Sequence, residues 1–247
     1  MIVPQSALVS CQSTSYRHPR LFAFPVTPCR NCRCHHHGLA LWPRTNTGLV
    51  DNLFGAGIIK SQRVKDAMLA VDRNTFVPGL PASLAYADSP QSIGFGATIS
   101  APHMHAYALE HLEPYLKPGS HVLDGVVVAI DHIPELVQMA HGHLTTWDAE
   151  SLTSGRIICI TGDGRKGFPT QAPYSAIHVG AAAPKIPQEL IDQLASPGRM
   201  FIPVGPDGGE QYLMQVDKDA DGQVTKTKVM GVRYVPLTDR ERQVGSA

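Results

Sequence analysis

Apolar residues keep two different rhythms along this chain, and the change between them marks out its elements. A helical spacing comes first: Leu49, Val50 and Leu53 suggest a short helix that Gly55-Ala56-Gly57 ends. A second helix begins at Ser61, a good N-cap residue type, with Val64, Ala67, Met68 and Val71 on one face up to Asp72. A third follows Pro102, where Met104, Ala108, Leu112 and Leu116 repeat every fourth position, and Ser100 stands as its helix-opening residue. Lys117-Pro118-Gly119-Ser120 then turns the chain into an apolar strand. Strands are predicted at 157–161, 176–180 and 200–204, the first two closed by Gly162-Asp163-Gly164 and Ala181-Ala182-Ala183-Pro184. Pro187 to Leu194 predicts a short helix between strands, and Gln211 to Val216 with Val224 to Tyr234 predicts an antiparallel hairpin. Strands alternating with helices and ending in a hairpin make the expected class α/β with an antiparallel end.

Composition narrows this to one domain, residues 46–247, preceded by a leader, residues 1–45. The 247 residues, 43% of them hydrophobic, suffice for one sizeable core. No run reaches the roughly 18 consecutive apolar residues of a membrane helix, so no membrane partner is expected. Charge balances at 21 basic and 21 acidic residues, but the first 50 residues hold five Arg and no acid. The body is therefore mildly acidic, which argues against a nucleic-acid footprint. The leader reads equally as an organelle transit peptide or as an extension outside the fold, so the expected location is cytoplasmic or, with a working leader, organellar. Its Cys29, Cys32, Cys34 and His35 to His37 offer soft ligands, but all fall within nine residues rather than in two separated pairs. No metal site is assigned there. Cys159, inside Ile157 to Ile160, reads as a buried, inert thiol that needs no disulfide.

Chemistry concentrates in the stretch from Asp88 to Tyr107, where Gly94, Gly96, Ser100, His103 and His105 lead into a helix. A helix N-terminus presents unpaired N–H groups, so an anionic group beside Ser100 is expected. Three acids, Asp124, Asp131 and Asp163, close successive strand-like runs. In open α/β sheets such strand tips face ligands, and three in a row favour a nucleoside.

Taken together, the stretch from Asp88 to Ala106, Ile130 to Leu136, Gly162 to Arg165, Ala176 to Pro184 and Tyr234 to Asp239 resembles the protein-L-isoaspartate (D-aspartate) O-methyltransferase family, over about Asn46 to Gln243. The resemblance implies a Rossmann-like fold and S-adenosylmethionine as cofactor. It implies a repair reaction in which the α-carboxylate of an isoaspartyl residue is methylated, in damaged proteins and peptides, by a monomer. Ser100 then takes the catalytic-site position, and Ala97, Thr98, Ile99 and His105 border the cofactor and substrate cleft. Asp124 stands among the cofactor's acids, Asp131 and His132 meet its ribose, Asp163 and Gly164 its adenine, and Thr238 and Gln243 close over it. Val235, Pro236 and Leu237 grip the substrate peptide.

One departure stands out. The family follows its Val-Leu-Asp strand with a glycine-rich turn, a helix and a second strand, whereas Asp124 and Asp131 here are only seven positions apart. A parallel crossover needs at least roughly 10–12 residues. The expected fold is therefore incomplete by about one βαβ unit, with residues 121–131 as a single or distorted strand and cofactor affinity reduced. Two other readings compete with an active enzyme: a non-catalytic module that binds isoaspartyl peptides, and an interaction or metal-binding protein organised by Cys29 to His37.

Overall fold

The computed structural model describes residues 43–77, 79–116 and 126–245. The Cys/His cluster, the leader up to residue 42 and Asp124 lie outside these residues. Helix α1 (Asn46–Gly55) is capped by Thr45, whose hydroxyl accepts from the Gly48 N–H at 3.1 Å. Helix α2 (Gln62–Ala70) starts at Ser61, but the serine side chain does not cap it. Glu110 instead accepts from the Lys60 and Ser61 N–H groups, each at 2.9 Å. A one-turn helix α3 (Ala82–Ala85) leads to an antiparallel pair, β1 (Gln91–Gly94) and β2 (Ala97–Ile99).

Helix α4 (Pro102–Leu112) carries the expected apolar face, with Ala108 and Leu112 buried against Ala176, Phe201 and Leu213. Its start corrects the sequence reading. Ala101 is the N-cap residue, Ser100 makes no cap, and Asp88 reaches across from the preceding loop to accept from the His103 N–H at 2.9 Å. The helix terminus therefore already holds a carboxylate, which supplies the anion such a terminus favours.

Strand β3 (Val127–Asp131), helix α5 (Pro134–Thr153) and strand β4 (Ile157–Thr161) form a parallel crossover with five paired positions. Helix α5 escaped the sequence pattern because its buried Leu136, Ala140 and Leu144 are diluted by His and Thr, and Asp148 breaks its backbone at φ −149°. Strand β5 (Tyr174–His178), helix α6 (Gln188–Asp192) and strand β6 (Leu194–Val204) repeat the parallel arrangement. Strands β7 (Gln211–Lys218) and β8 (Val224–Val232) then continue antiparallel, as the hairpin pattern predicts, and helix α7 (Arg240–Val244) follows.

Among the described residues the sheet is divided: β3 pairs only with β4, and β5 to β8 form a separate four-stranded sheet. The two pieces share one core, in which Val128 and Ile130 of β3 join Ile177 of β5 and nearby Val179, Leu190, Met200 and Ile202. Side-chain packing links β3 to β5 without a backbone ladder. The shortened segment itself, and with it the start of the strand expected over 121–131, falls at 117–125, outside the described residues.

Candidate active site

The β1–β2 turn has an unusual backbone. Gly94, Phe95 and Gly96 all have positive φ, at 90°, 52° and 69°, and Phe95 does so with a full side chain. A non-glycine residue held there stores strain that surrounding contacts must offset, a feature concentrated at functional sites. The offset comes from Gln243 of α7, whose amide donates to the Phe95 carbonyl at 3.3 Å. Gly96 is required here on two counts, because a Cβ would also lie 3.2 Å from the Gln243 carbonyl. The other end of the Gln243 amide meets His132 Nε2 at 2.8 Å. One side chain thus joins the β1–β2 turn, the end of β3 and the C-terminal segment.

Asp131, 2% exposed, ends β3, and its Oδ1 accepts from the Ile133 N–H at 2.7 Å. The Gly162 N–H donates to the Asp131 carbonyl at 2.8 Å, which carries the pairing one step past β4 and sets Asp163 beside the same edge. Asp163 Oδ1 accepts from the backbone and side chain of Arg165 at 3.0 and 2.8 Å. Burial pushes the Asp163 carboxyl up, but the hydrogen bonds and charge of Arg165 outweigh it and hold the group below the usual carboxylate range. Arg165 also bonds Asp239, so it clamps the C-terminal segment to the β4 tip. Gly164 opens the short 3-10 turn that Asp163 caps.

Ala97 is buried with Ile133 and Leu136, which brings β2 against the first turn of α5. Thr98, Ile99 and Ser100 follow, all buried. The Ser100 backbone is hydrogen-bonded by the His105 ring, and desolvation pushes the imidazole down to about 3. His105 Nε2 has no partner among the described residues, so Nδ1 carries the donating proton and Nε2 an open lone pair. Thr98 Oγ1 and Glu135 Oε2 are likewise buried without partners. These three atoms lie on β2, α4 and α5. Buried polar atoms carry partners as a rule, so a bound polar molecule fits there, and a nucleoside cofactor with its hydroxyls and amino groups is of that kind.

Val235 and Leu237 are held by Ala182: its N–H donates to the Val235 carbonyl and its carbonyl accepts from Leu237, both at 2.8 Å. Strand alternation turns the Pro236 carbonyl to the opposite side, toward any chain laid alongside. Thr238 is half-buried, between this strip and the Arg165 clamp. His103 pairs with Asp88 at 2.9 Å and belongs to the capping of α4. Cys159 is half-buried with its thiol pushed up by desolvation, in keeping with an inert group. Among the described residues no group of three or more His, Cys, Asp or Glu is placed to hold a metal ion.

Of the sequence-predicted site residues that the structure describes, Ile99 and His105 line a cavity of about 410 Å³ that lies toward α1, α2 and α5. Asp131, His132 and Gln243 gather at the strand tips, with Asp163 and Gly164 at the same edge. Sequence reasoning missed Asp88 as a cap, Arg165 as a clamp and Phe95 as a strained turn residue. Only the two flanking glycines of Phe95 offered a signal.

Comparison with known proteins identifies the family. The sequence profile of the protein-L-isoaspartate(D-aspartate) O-methyltransferase family matches residues 44–126 and again 123–242. The two matches overlap where the crossover is shortened. A Caenorhabditis elegans protein-L-isoaspartate O-methyltransferase is 45% identical over 218 positions, covering 81% of this chain and 95% of the relative. Since 81% of 247 residues is about 200, about 18 of the 218 positions have no counterpart here. Arabidopsis thaliana protein-L-isoaspartate O-methyltransferase 1 is 47% identical over 219 positions, covering 81% and 94%. Among solved structures, a Plasmodium falciparum chain assigned to the same methyltransferase class, bound to S-adenosyl-L-homocysteine, superposes with a TM-score of 0.69 at 27% identity, over 78% of this chain and 98% of that one. Both profile matches, the relatives and the superposed fold coincide, and the chain belongs to the protein-L-isoaspartate(D-aspartate) O-methyltransferase family.

Proposed function

We propose that this chain is a repair methyltransferase that uses S-adenosylmethionine to methylate the α-carboxylate of L-isoaspartyl and D-aspartyl residues in damaged proteins and peptides. The observation that carries the reading is the Gln243 bridge, which draws the Phe95 turn, the His132 end of β3 and the C-terminal segment to one crevice. When bound, the cofactor supplies a methyl group on a positively charged sulfur, suited to in-line transfer.

The chain's own residues then have positional tasks. Asp131 and His132 hold the ribose, Asp163 and Gly164 meet the adenine, and Ala97, Thr98, Ile99 and His105 border the reacting region. An isoaspartyl α-carboxylate, with a pKa near ~3.5, is ionised at neutral pH and needs no general base. Ser100 therefore serves as an orienting hydrogen-bond donor, and neutral His105 adds no charge beside the carboxylate. The Pro236 carbonyl and its neighbours Val235 and Leu237 receive the substrate backbone. Thr238 and Gln243 close the segment over the crevice and exclude water, which favours alignment of the reacting atoms. The loss of the glycine-rich turn removes N–H groups from this scheme, so cofactor affinity is weaker than in the longer relatives. Among the described residues no helix is long and apolar enough to cross a membrane. The reading places the protein in the cytoplasm as a monomer.

The direct test is methyl transfer from labelled S-adenosylmethionine to a peptide with one isoaspartyl residue, beside the same peptide with normal aspartate. Label in the first alone is the expected result. Equal labelling of both peptides, or none in either, would count against the proposal.

A further inference from the structure

Arg165 joins two parts of the crevice that lie far apart in the chain. Its Nε donates to Asp163 Oδ1 at 2.8 Å and its Nη2 to Asp163 Oδ2 at 2.9 Å, a fork that fixes the plane of the guanidinium against the carboxylate. The same Nη2 has a second hydrogen, which goes to Asp239 Oδ1, 74 positions along the chain. Hydrogen bonds to Asp163 first and Asp239 second push the guanidinium up, so it is cationic at any ordinary pH. One nitrogen therefore reads the orientation of both acids. A turn of Asp163 that rotates the fork withdraws the Nη2 hydrogen from Asp239.

Asp239 matters for what precedes it. Two residues earlier, Leu237 closes the strip that hangs on Ala182 through two backbone hydrogen bonds of 2.8 Å. From Val235 to Gly245 no residue is buried, and the Asp239 side chain is 64% exposed. The segment is held more by hydrogen bonds than by a core. Isolated exposed ion pairs contribute little, but a forked arginine–carboxylate pair within a network is the exception.

We infer that Arg165 is a positioning residue that couples the two binding events: Asp163, once it holds the adenine, fixes the fork, the fork fixes Asp239, and the strip Val235 to Leu237 stands ordered for the substrate backbone. Ordering of the strip then precedes the peptide, which binds more tightly for that reason. By linkage the peptide raises cofactor affinity by the same factor. This coupling rests on the methyltransferase reading, which supplies both ligands.

Fluorescence anisotropy on the full chain measures it, with a labelled peptide containing one isoaspartyl residue and with its normal aspartyl counterpart. Saturating S-adenosylhomocysteine tightens isoaspartyl-peptide binding to the parent by at least about fivefold, the lower end of ordinary coupling between sites. In R165Q and in D239N the gain falls below about twofold. D239N leaves the fork on Asp163 in place and binds S-adenosylhomocysteine as the parent does, which separates lost coupling from a lost cofactor site. A merely structural role would weaken peptide binding equally with and without S-adenosylhomocysteine. Peptide affinity in the parent that ignores S-adenosylhomocysteine, full coupling in D239N, or an equal weakening of that kind would overturn the inference and leave isoaspartyl recognition standing. Equal binding of the two peptides, or binding of neither, would overturn the methyltransferase reading and the coupling with it. Asp239 is exposed, so D239N decides the matter even if R165Q is unstable.

Discussion

Single residues divide here between those that orient and those that hold charge in check. Ser100 is buried beside an imidazole that is neutral and already committed to its backbone, so nothing activates the hydroxyl as a nucleophile. As an orienting donor its removal costs about 1–3 kcal/mol of transition-state stabilisation, roughly ten- to a hundredfold in rate. S100A should therefore lower kcat by about that factor in steady-state assays while its thermal midpoint stays close to that of the parent. A collapse of rate by many orders of magnitude would point to covalent chemistry instead. Two half-buried histidines give a pH signature. His105 and His178 fall from 6.5 to about 3 and about 4, both through desolvation. Below pH 6.5 the unfolded chain then binds protons that the folded chain refuses, so their stabilising contribution is complete above that pH and is lost as pH falls toward 4. Each adds a slope of about 1.4 kcal/mol per pH unit in that window. Urea midpoints measured from pH 7.5 to 4.5 should drop accordingly, and a flat profile would contradict the assignment. The acids at the strand tips were legible in the sequence because an Asp closing an apolar run stands out. Arg165 and Asp88 were not, since their roles depend on partners 74 and 15 positions away.

At the scale of elements, helix α7 is the most lightly attached part of the crevice. None of its residues is buried, and its ion pairs, Arg240 with Glu135 at 3.9 Å and Arg242 with Asp207 at 3.4 Å, are exposed. Such pairs contribute little, so Gln243 is its main tie to the β1–β2 turn and to β3. Q243A should weaken cofactor binding by about tenfold, in line with the loss of a hydrogen bond worth about 1 kcal/mol and of the closing contact. Folding stability should fall by about 1 kcal/mol, because the half-buried Gln243 side chain also gives up its hydrogen bonds to His132 and the Phe95 carbonyl. Titration with S-adenosylhomocysteine and a denaturation curve on the same preparation separate the two effects. Helical periodicity and the hairpin pattern placed most elements close to where they stand. Helix α5 escaped because half its length is exposed and polar, and the capping of α4 escaped because the donor and acceptor come from different elements.

For the whole molecule, the divided sheet is the governing feature. Strands β5 to β8 form a continuous ladder, whereas among the described residues β3 and β4 have only each other and shared side-chain packing with β5. Backbone amides in a two-stranded unit open more readily than those in a four-stranded one. Amide exchange should therefore be faster in Val127–Asp131 and Ile157–Thr161 than in Met200 to Val204, and inserting the crossover of a longer relative should slow the former and tighten cofactor binding. Uniform protection across both sheets would show that the division has no energetic weight. The amino-acid sequence by itself determined the α/β class, the strand-tip acids, the C-terminal hairpin and the shortened crossover, because periodicity, turn chemistry and minimum connection length act over a few neighbouring residues. Only the tertiary structure decided that Gln243 joins three distant segments, that Asp88 takes the capping place expected of Ser100, and that Arg165 ties the C-terminal segment to the tip of β4. These rest on side chains far apart in the chain meeting in space, which local patterns do not encode.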